Sequence, residues 1–151
     1  MQKVHYSIKI NASSEKVWDT MLQDATYREW TKPFNEGGSY YEGAWDKGSK
    51  MHFIGPDENG KLGGMVSVIE ENNPHEFISI KHIGLLKEDG SEDTTSDEVK
   101  KWGGAHENYT FEEKDGVTTV KVDLDTADDF KEFMDKTWPP ALEKLKQLAE
   151  K

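Results

Sequence analysis

The first ten residues alternate. Val4, Tyr6, Ile8 and Ile10 take every second position of KVHYSIKI, the period of a strand with one buried face. The period then changes. Val17, Trp18, Met21 and Leu22 fall on one helical face, with Ser13 placed as its cap and Glu15 in the first turn, where the helix dipole favours a carboxylate. A shorter helix over 24–30 carries Tyr27 and Trp30 at i, i+3, and Pro33 marks its end. From residue 38 alternation returns and predicts strands over 39–46, 49–55, 62–71, 76–84, 105–113 and 117–125. Their links are Asp46-Lys47-Gly48, the turn from Pro56 to Gly60, Asn72-Asn73-Pro74 and Asp115-Gly116. Connections this short join antiparallel neighbours. Residues 85–104 are too long and acidic for a tight turn, although Val99 and Trp102 at i, i+3 predict one amphipathic turn within them. At the end, Phe130, Phe133, Met134, Trp138, Ala141, Leu142, Leu145 and Leu148 form the stripe of a long helix. Thr126 or Asp125 is its expected cap, Asp128 and Asp129 its first turn, and Pro139-Pro140 predicts a kink near Trp138.

The order β-α-α-β-β-β-β-β-β-α reads as one α+β domain over residues 1–151. A curved, antiparallel, seven-stranded sheet hides its apolar face against the C-terminal helix. One helix is narrower than a wide concave face, so space is expected between the two layers.

Composition narrows the partners. The net charge is −11, and a field of that sign repels nucleic acid phosphates and anionic membrane surfaces while favouring a basic protein surface. There is no cysteine, which rules out disulfides and cysteine-based metal sites. The N-terminus alternates rather than presenting an apolar run, and no window approaches a membrane span. A cytoplasmic location is the expectation.

Several stretches carry a resemblance. Ser14-Glu15-Lys16-Val17-Trp18 opens the first helix and Trp30 closes the second; Phe34-Asn35-Glu36-Gly37-Gly38 leads into the second strand. Gly64-Met65-Val66-Ser67-Val68 runs through Asn73-Pro74 into Glu76-Phe77-Ile78-Ser79-Ile80; Trp102 to Glu107 and Tyr109-Thr110-Phe111 follow. In order and spacing the chain resembles the helix-grip fold of the START-like superfamily (SRPBCC). Within it, the chain is similar to homologues of the activator of heat-shock protein 90 ATPase, in the small single-domain form found in bacteria. The resemblance implies a cavity for a small, largely apolar ligand and supplies no catalytic residues.

Six of the sixteen aromatic residues crowd between Tyr27 and Trp45. Tyr40 and Tyr41 are adjacent on a strand and face opposite ways; the set Tyr41, Gly43 and Trp45, which holds no charge, is the inward candidate. The expected ligand-lining residues are Trp30, Phe34, Tyr41, Trp45, Phe53, His82, Trp102, Tyr109, Phe130, Met134 and Trp138. The mouth is expected near residues 85–104 and the Phe34–Gly38 loop. His52, His82 and His106 all fall on strands, and His82 continues the period of Ile78 and Ile80. No histidine pair has metal-site spacing, the acidic runs do not match a calcium loop, and the Gly-Gly pairs match neither a P-loop nor a dinucleotide fingerprint. Neither a metal nor a cofactor is expected.

Three readings follow. The first is a binding protein for an apolar or polycyclic small molecule, such as a lipid or aromatic metabolite. The second is docking onto a chaperone of the heat-shock-90 class or another basic protein surface. The third is a cyclase or hydratase using His82 or Glu107 as acid or base.

Overall fold

The computed structural model describes residues 1–35, 38–56 and 59–151. Glu36 and Gly37 of the expected mouth loop, and Asp57 and Glu58 of the expected turn, lie outside the described residues.

The alternating segments pair as an antiparallel sheet. Its strands are β1 (Gln2–Ile10), β2 (Tyr40–Gly43), β3 (Lys50–Pro56), β4 (Leu62–Asn73), β5 (Phe77–Leu86), β6 (Glu92–Asp93), β7 (Ala105–Lys114) and β8 (Val117–Thr126). They lie in the order β1-β8-β7-β5-β4-β3-β2, and the two-residue β6 pairs with the end of β5. That eighth strand shortens the loop expected over 85–104. Tight turns set the register. Asp115 and Gly116 both have positive φ, 54° and 80°, the geometry of a two-residue hairpin whose twist matches its strands, and they join Lys114 to its partner Val117.

Two irregularities re-aim side chains. Val66 pairs with Gly84 but Ser67 pairs with His82, so Ile83 is left over; Ile69 pairs with Ile80 and Glu71 with Ser79, so Glu70 is left over. Each is a bulge that bends its strand and shifts the alternation by one residue. Ile80, His82 and Leu85 therefore share the concave face, on which Met65, Ser67 and Ile69 also lie.

The helices are α1 (Ser14–Leu22), α2 (Asp24–Trp30), α3 (Asp97–Lys100) and α4 (Lys131–Ala149), with short 3-10 turns at Lys32–Phe34 and Asp128–Phe130. Ser13 caps α1, accepting from the Lys16 N–H, and Ser96 caps α3, which buries Val99 beneath it. The 3-10 turn displaces the start of α4 from its expected caps. Asp125 instead bonds Lys3 and the His106 N–H, and Thr126 turns to Ala127. α4 packs on β1, α1 and α2, burying Trp138, Ala141, Leu142, Leu145 and Ala149. It stays helical through Pro139 and Pro140. Both prolines are exposed, as are Asp135 and Lys136, whose carbonyls lose their helical donors there. No helix among the described residues is long and apolar enough to cross a membrane.

Candidate functional site

The sheet curves away from the first half of α4 and leaves a cavity of about 760 Å³. Its walls are the concave faces of β3, β4, β5 and β7, the end of β8, the turn at Lys32–Phe34, and Phe130, Met134 and Trp138. Of the residues expected to line a cavity, Trp30, Phe34, Phe53, His82, Trp102, Tyr109, Phe130, Met134 and Trp138 all border this space. Tyr41 and Trp45 do not. They share the inward face with Phe53, but their polar atoms turn to the carbonyl of Leu22, and their rings pack between Tyr27 and Phe53. Tyr40 is on the other face, its ring 4.9 Å from the Arg28 guanidinium.

Trp138 is the aromatic hub. Its ring meets Phe34 at 4.9 Å, Trp30 at 5.9 Å, Tyr109 at 6.1 Å and Tyr6 at 6.2 Å between centroids. Only 3% of the residue is exposed, and its indole Nε1 has no hydrogen-bond partner.

A polar chain crosses the concave face opposite this hub. Ser67 Oγ is 2.7 Å from His82 Nδ1, and His82 Nε2 is 3.1 Å from Glu107 Oε1. The Tyr109 hydroxyl donates to the other oxygen of Glu107. A carboxylate can only accept, so His82 Nε2 carries the hydrogen of that bond; a neutral ring then accepts the Ser67 hydroxyl at Nδ1. Burial opposes ionisation of Glu107, but the bonds from His82 and Tyr109 outweigh it and hold the carboxyl below its ordinary range. Burial, followed by the Glu107 charge, pushes the phenols of Tyr109 and Tyr27 well up. The Glu107 side chain keeps 24% of its surface accessible, and that surface borders the cavity.

This arrangement suits recognition better than proton abstraction. A general base works best with a pKa near the working pH, whereas Glu107 is held low and both ring nitrogens of His82 are engaged. Two further strand histidines are engaged elsewhere: His52 pairs with Glu92 at 2.6 Å, and His106, on the cavity wall, with Glu70 at 2.5 Å. Among the described residues no group of three or more His, Asp or Glu side chains could hold a metal ion.

Ser67, Met65, Leu85, Leu124 and Tyr27, which are not among the expected lining residues, also stand on its walls or in its polar chain. Ser67 follows Met65 at period two, a signal present in the sequence. Leu85 reaches the cavity only through the bulge at Ile83, which no local signal marks.

The family model for "Activator of Hsp90 ATPase homolog 1-like protein" matches residues 11–150. The chain belongs to this family. No curated protein matches it. Among solved structures, this family member is similar to protein CV1439 from Chromobacterium violaceum, with a TM-score of 0.70 and 16% identity over 100% of this chain and 99% of that one. It is similar to the Aha1 dimer from Colwellia psychrerythraea, with a TM-score of 0.71 and 20% identity over 99% and 97%. It is also similar to DynU16, a protein of the dynemicin biosynthetic locus, with a TM-score of 0.69 and 12% identity over 99% of this chain and 48% of that one. At these identities the likeness is one of fold: an α+β helix-grip architecture.

Proposed function

We propose that the protein binds an apolar, ring-bearing small molecule, such as a polycyclic metabolite or a lipid, between the sheet and α4. The observation that carries this is the cavity of about 760 Å³, within the range of small-molecule sites, with aromatic residues and a connected polar chain through His82 and Glu107 on its walls. Membership of a family of ligand-binding domains supports it, as does a fold neighbour from a biosynthetic locus. The residues that would touch the ligand are Trp30, Phe34, Phe53, His82, Tyr109 and Trp138, with Trp102, Phe130 and Met134 toward the mouth.

The test is an NMR titration with lipids and aromatic metabolites, read at the indole N–H signals of Trp30, Trp102 and Trp138. Native mass spectrometry of the purified protein would reveal copurifying molecules. Resonances that stay fixed across the panel, with nothing copurifying, would sink the reading. Chaperone docking is the second reading, favoured by the family's description and the net charge of −11. It requires a change in the ATPase rate of the host's own heat-shock-90 chaperone on adding this protein; an unchanged rate and no complex at low salt remove it.

A further inference from the structure

The cavity's polar groups are unevenly supplied with partners, and that imbalance describes a ligand. Glu107 accepts from His82 Nε2 and from the Tyr109 hydroxyl. Two carboxylate oxygens offer about four lone-pair sites, so acceptor capacity remains on the surface that borders the cavity. Trp138 presents the opposite need: the residue borders the same space, and its buried indole N–H has no acceptor. The two groups flank one ring. Tyr109 bonds Glu107 through its hydroxyl and packs against Trp138 at 6.1 Å. A buried donor without an acceptor is costly, and a ligand oxygen would relieve it.

Charge then selects against anions. The basic side chains on the cavity wall are Lys61, His82 and His106. Lys61 is exposed and sits 3.7 Å from Glu88; His106 is turned to Glu70. His82 already serves Glu107. A ligand carboxylate or phosphate placed beside Glu107 would bring two like charges together in a desolvated space, with no cation among the described wall residues free to bridge them.

We propose that the cavity selects uncharged ring molecules that donate a hydroxyl or N–H to Glu107 and offer an acceptor oxygen to the Trp138 indole, and that it rejects ligands ending in a carboxylate or phosphate. A hydroxylated polycycle carries the hydroxyl donor and the acceptor oxygen that the two groups call for. A fatty acid meets neither. This rests on the binding reading above and adds the chemistry by which the site chooses.

The experiment compares three probes with one ring system: hydroxypyrene, methoxypyrene and pyrene carboxylate. Each is titrated into the wild-type protein and into Glu107→Gln, followed by probe fluorescence and by the Trp138 indole N–H resonance. In the wild type, hydroxypyrene should bind at least about tenfold tighter than methoxypyrene, the scale of one hydrogen bond to a charged group. Pyrene carboxylate should bind weakest, and hydroxypyrene should move the indole resonance downfield. Glu107→Gln should narrow the first gap and strengthen carboxylate binding at least about tenfold. Equal binding of all three probes to the wild type, or tightest binding of the carboxylate, overturns the selection rule while leaving the binding reading intact. Failure of all three to bind overturns the selection rule, and the binding reading is then decided separately by the lipid and metabolite panel. The wild-type comparison decides the question even if the variant does not fold.

Discussion

Tyr41 and Trp45 donate to one and the same oxygen. Tyr41 Oη lies 2.5 Å and Trp45 Nε1 3.1 Å from the carbonyl of Leu22, the last residue of α1. The preceding carbonyl, Met21, accepts from Trp30 Nε1 at 2.9 Å. The last carbonyls of a helix have no donor within it, and here three aromatic side chains from α2 and the sheet edge supply them. The aromatic cluster therefore belongs to two structures, one closing a helix and one walling a cavity.

This makes a first prediction. Tyr41→Phe and Trp45→Phe should each destabilise the fold by about 1 kcal/mol or somewhat more, since each leaves the Leu22 oxygen one donor. The double variant removes both and should cost more than the sum of the singles, as neighbours sharing a partner do. Urea unfolding of the four proteins measures this. Ligand titrations of the single variants should match the wild type; weakened binding would place these rings on the cavity wall after all.

Gly64 carries a second. A Cβ built there would lie 1.8 Å from the carbonyl oxygen of Phe53, which is backbone and cannot rotate away. Gly64→Ala must therefore push β3 from β4 and should cost about 1–3 kcal/mol, as overpacking does. Because Phe53 borders the cavity, the same change should disturb its ring resonances. Unfolding midpoints and aromatic NMR spectra check both.

The third concerns acid. Glu107 has its carboxyl held below the ordinary value of 4.5 in the folded protein. A depressed carboxyl contributes stability that is fully present above its unfolded value and is lost as the pH falls through its folded one. The wild type should thus exceed Glu107→Gln in stability at neutral pH, and the gap should close below about pH 4.5. Thermal unfolding of both proteins from neutral pH into acid reads the gap directly, and a gap independent of pH would contradict the bond pattern around Glu107.

A fourth follows from α4. Its second half buries Ala141, Leu142, Leu145 and Ala149, whereas residues 131–136 bury none. Pro139 and Pro140 remove two hydrogen bonds where the halves meet. Backbone amides of 133–138 should exchange with deuterium faster than those of 143–149, and a bound ligand should slow the first group selectively. Uniform exchange along the helix would refute this.

Much of the architecture was legible because an antiparallel sheet with one wet face writes its period into the chain. Val4 to Ile10 and Val117 to Thr126 show it, and the stripe from Trp138 to Leu145 shows the helix laid across them. What stayed hidden depended on partners distant in sequence. The bulges at Ile83 and Glu70 arise from the pairing of β4 with β5, and no single segment announces them. β6 exists only because Leu85 and Leu86 offer it an edge. The site was legible in part: period two points His82 and Glu107 inward, but only the register shows that Ser67, His82, Glu107 and Tyr109 form one chain. Tyr41 and Trp45 show the limit of a face assignment. It tells which side a ring occupies, and says nothing of which helix end lies opposite.

The proline pair in α4 has a mechanical consequence. The helix is built as a cantilever, clamped to the core by its last two turns and overhanging the cavity with its first two. The overhang and the turn before it carry Phe133 and Phe130, 46% and 55% exposed, on a stretch tied down by the Tyr6 hydroxyl on Asp135 and by Phe34 against Phe133. A guest entering beneath it gains Phe130 and Met134 as a ceiling and must also order them. Its affinity then falls short of what the covered area alone would give, because the ordering of the beam is charged against it.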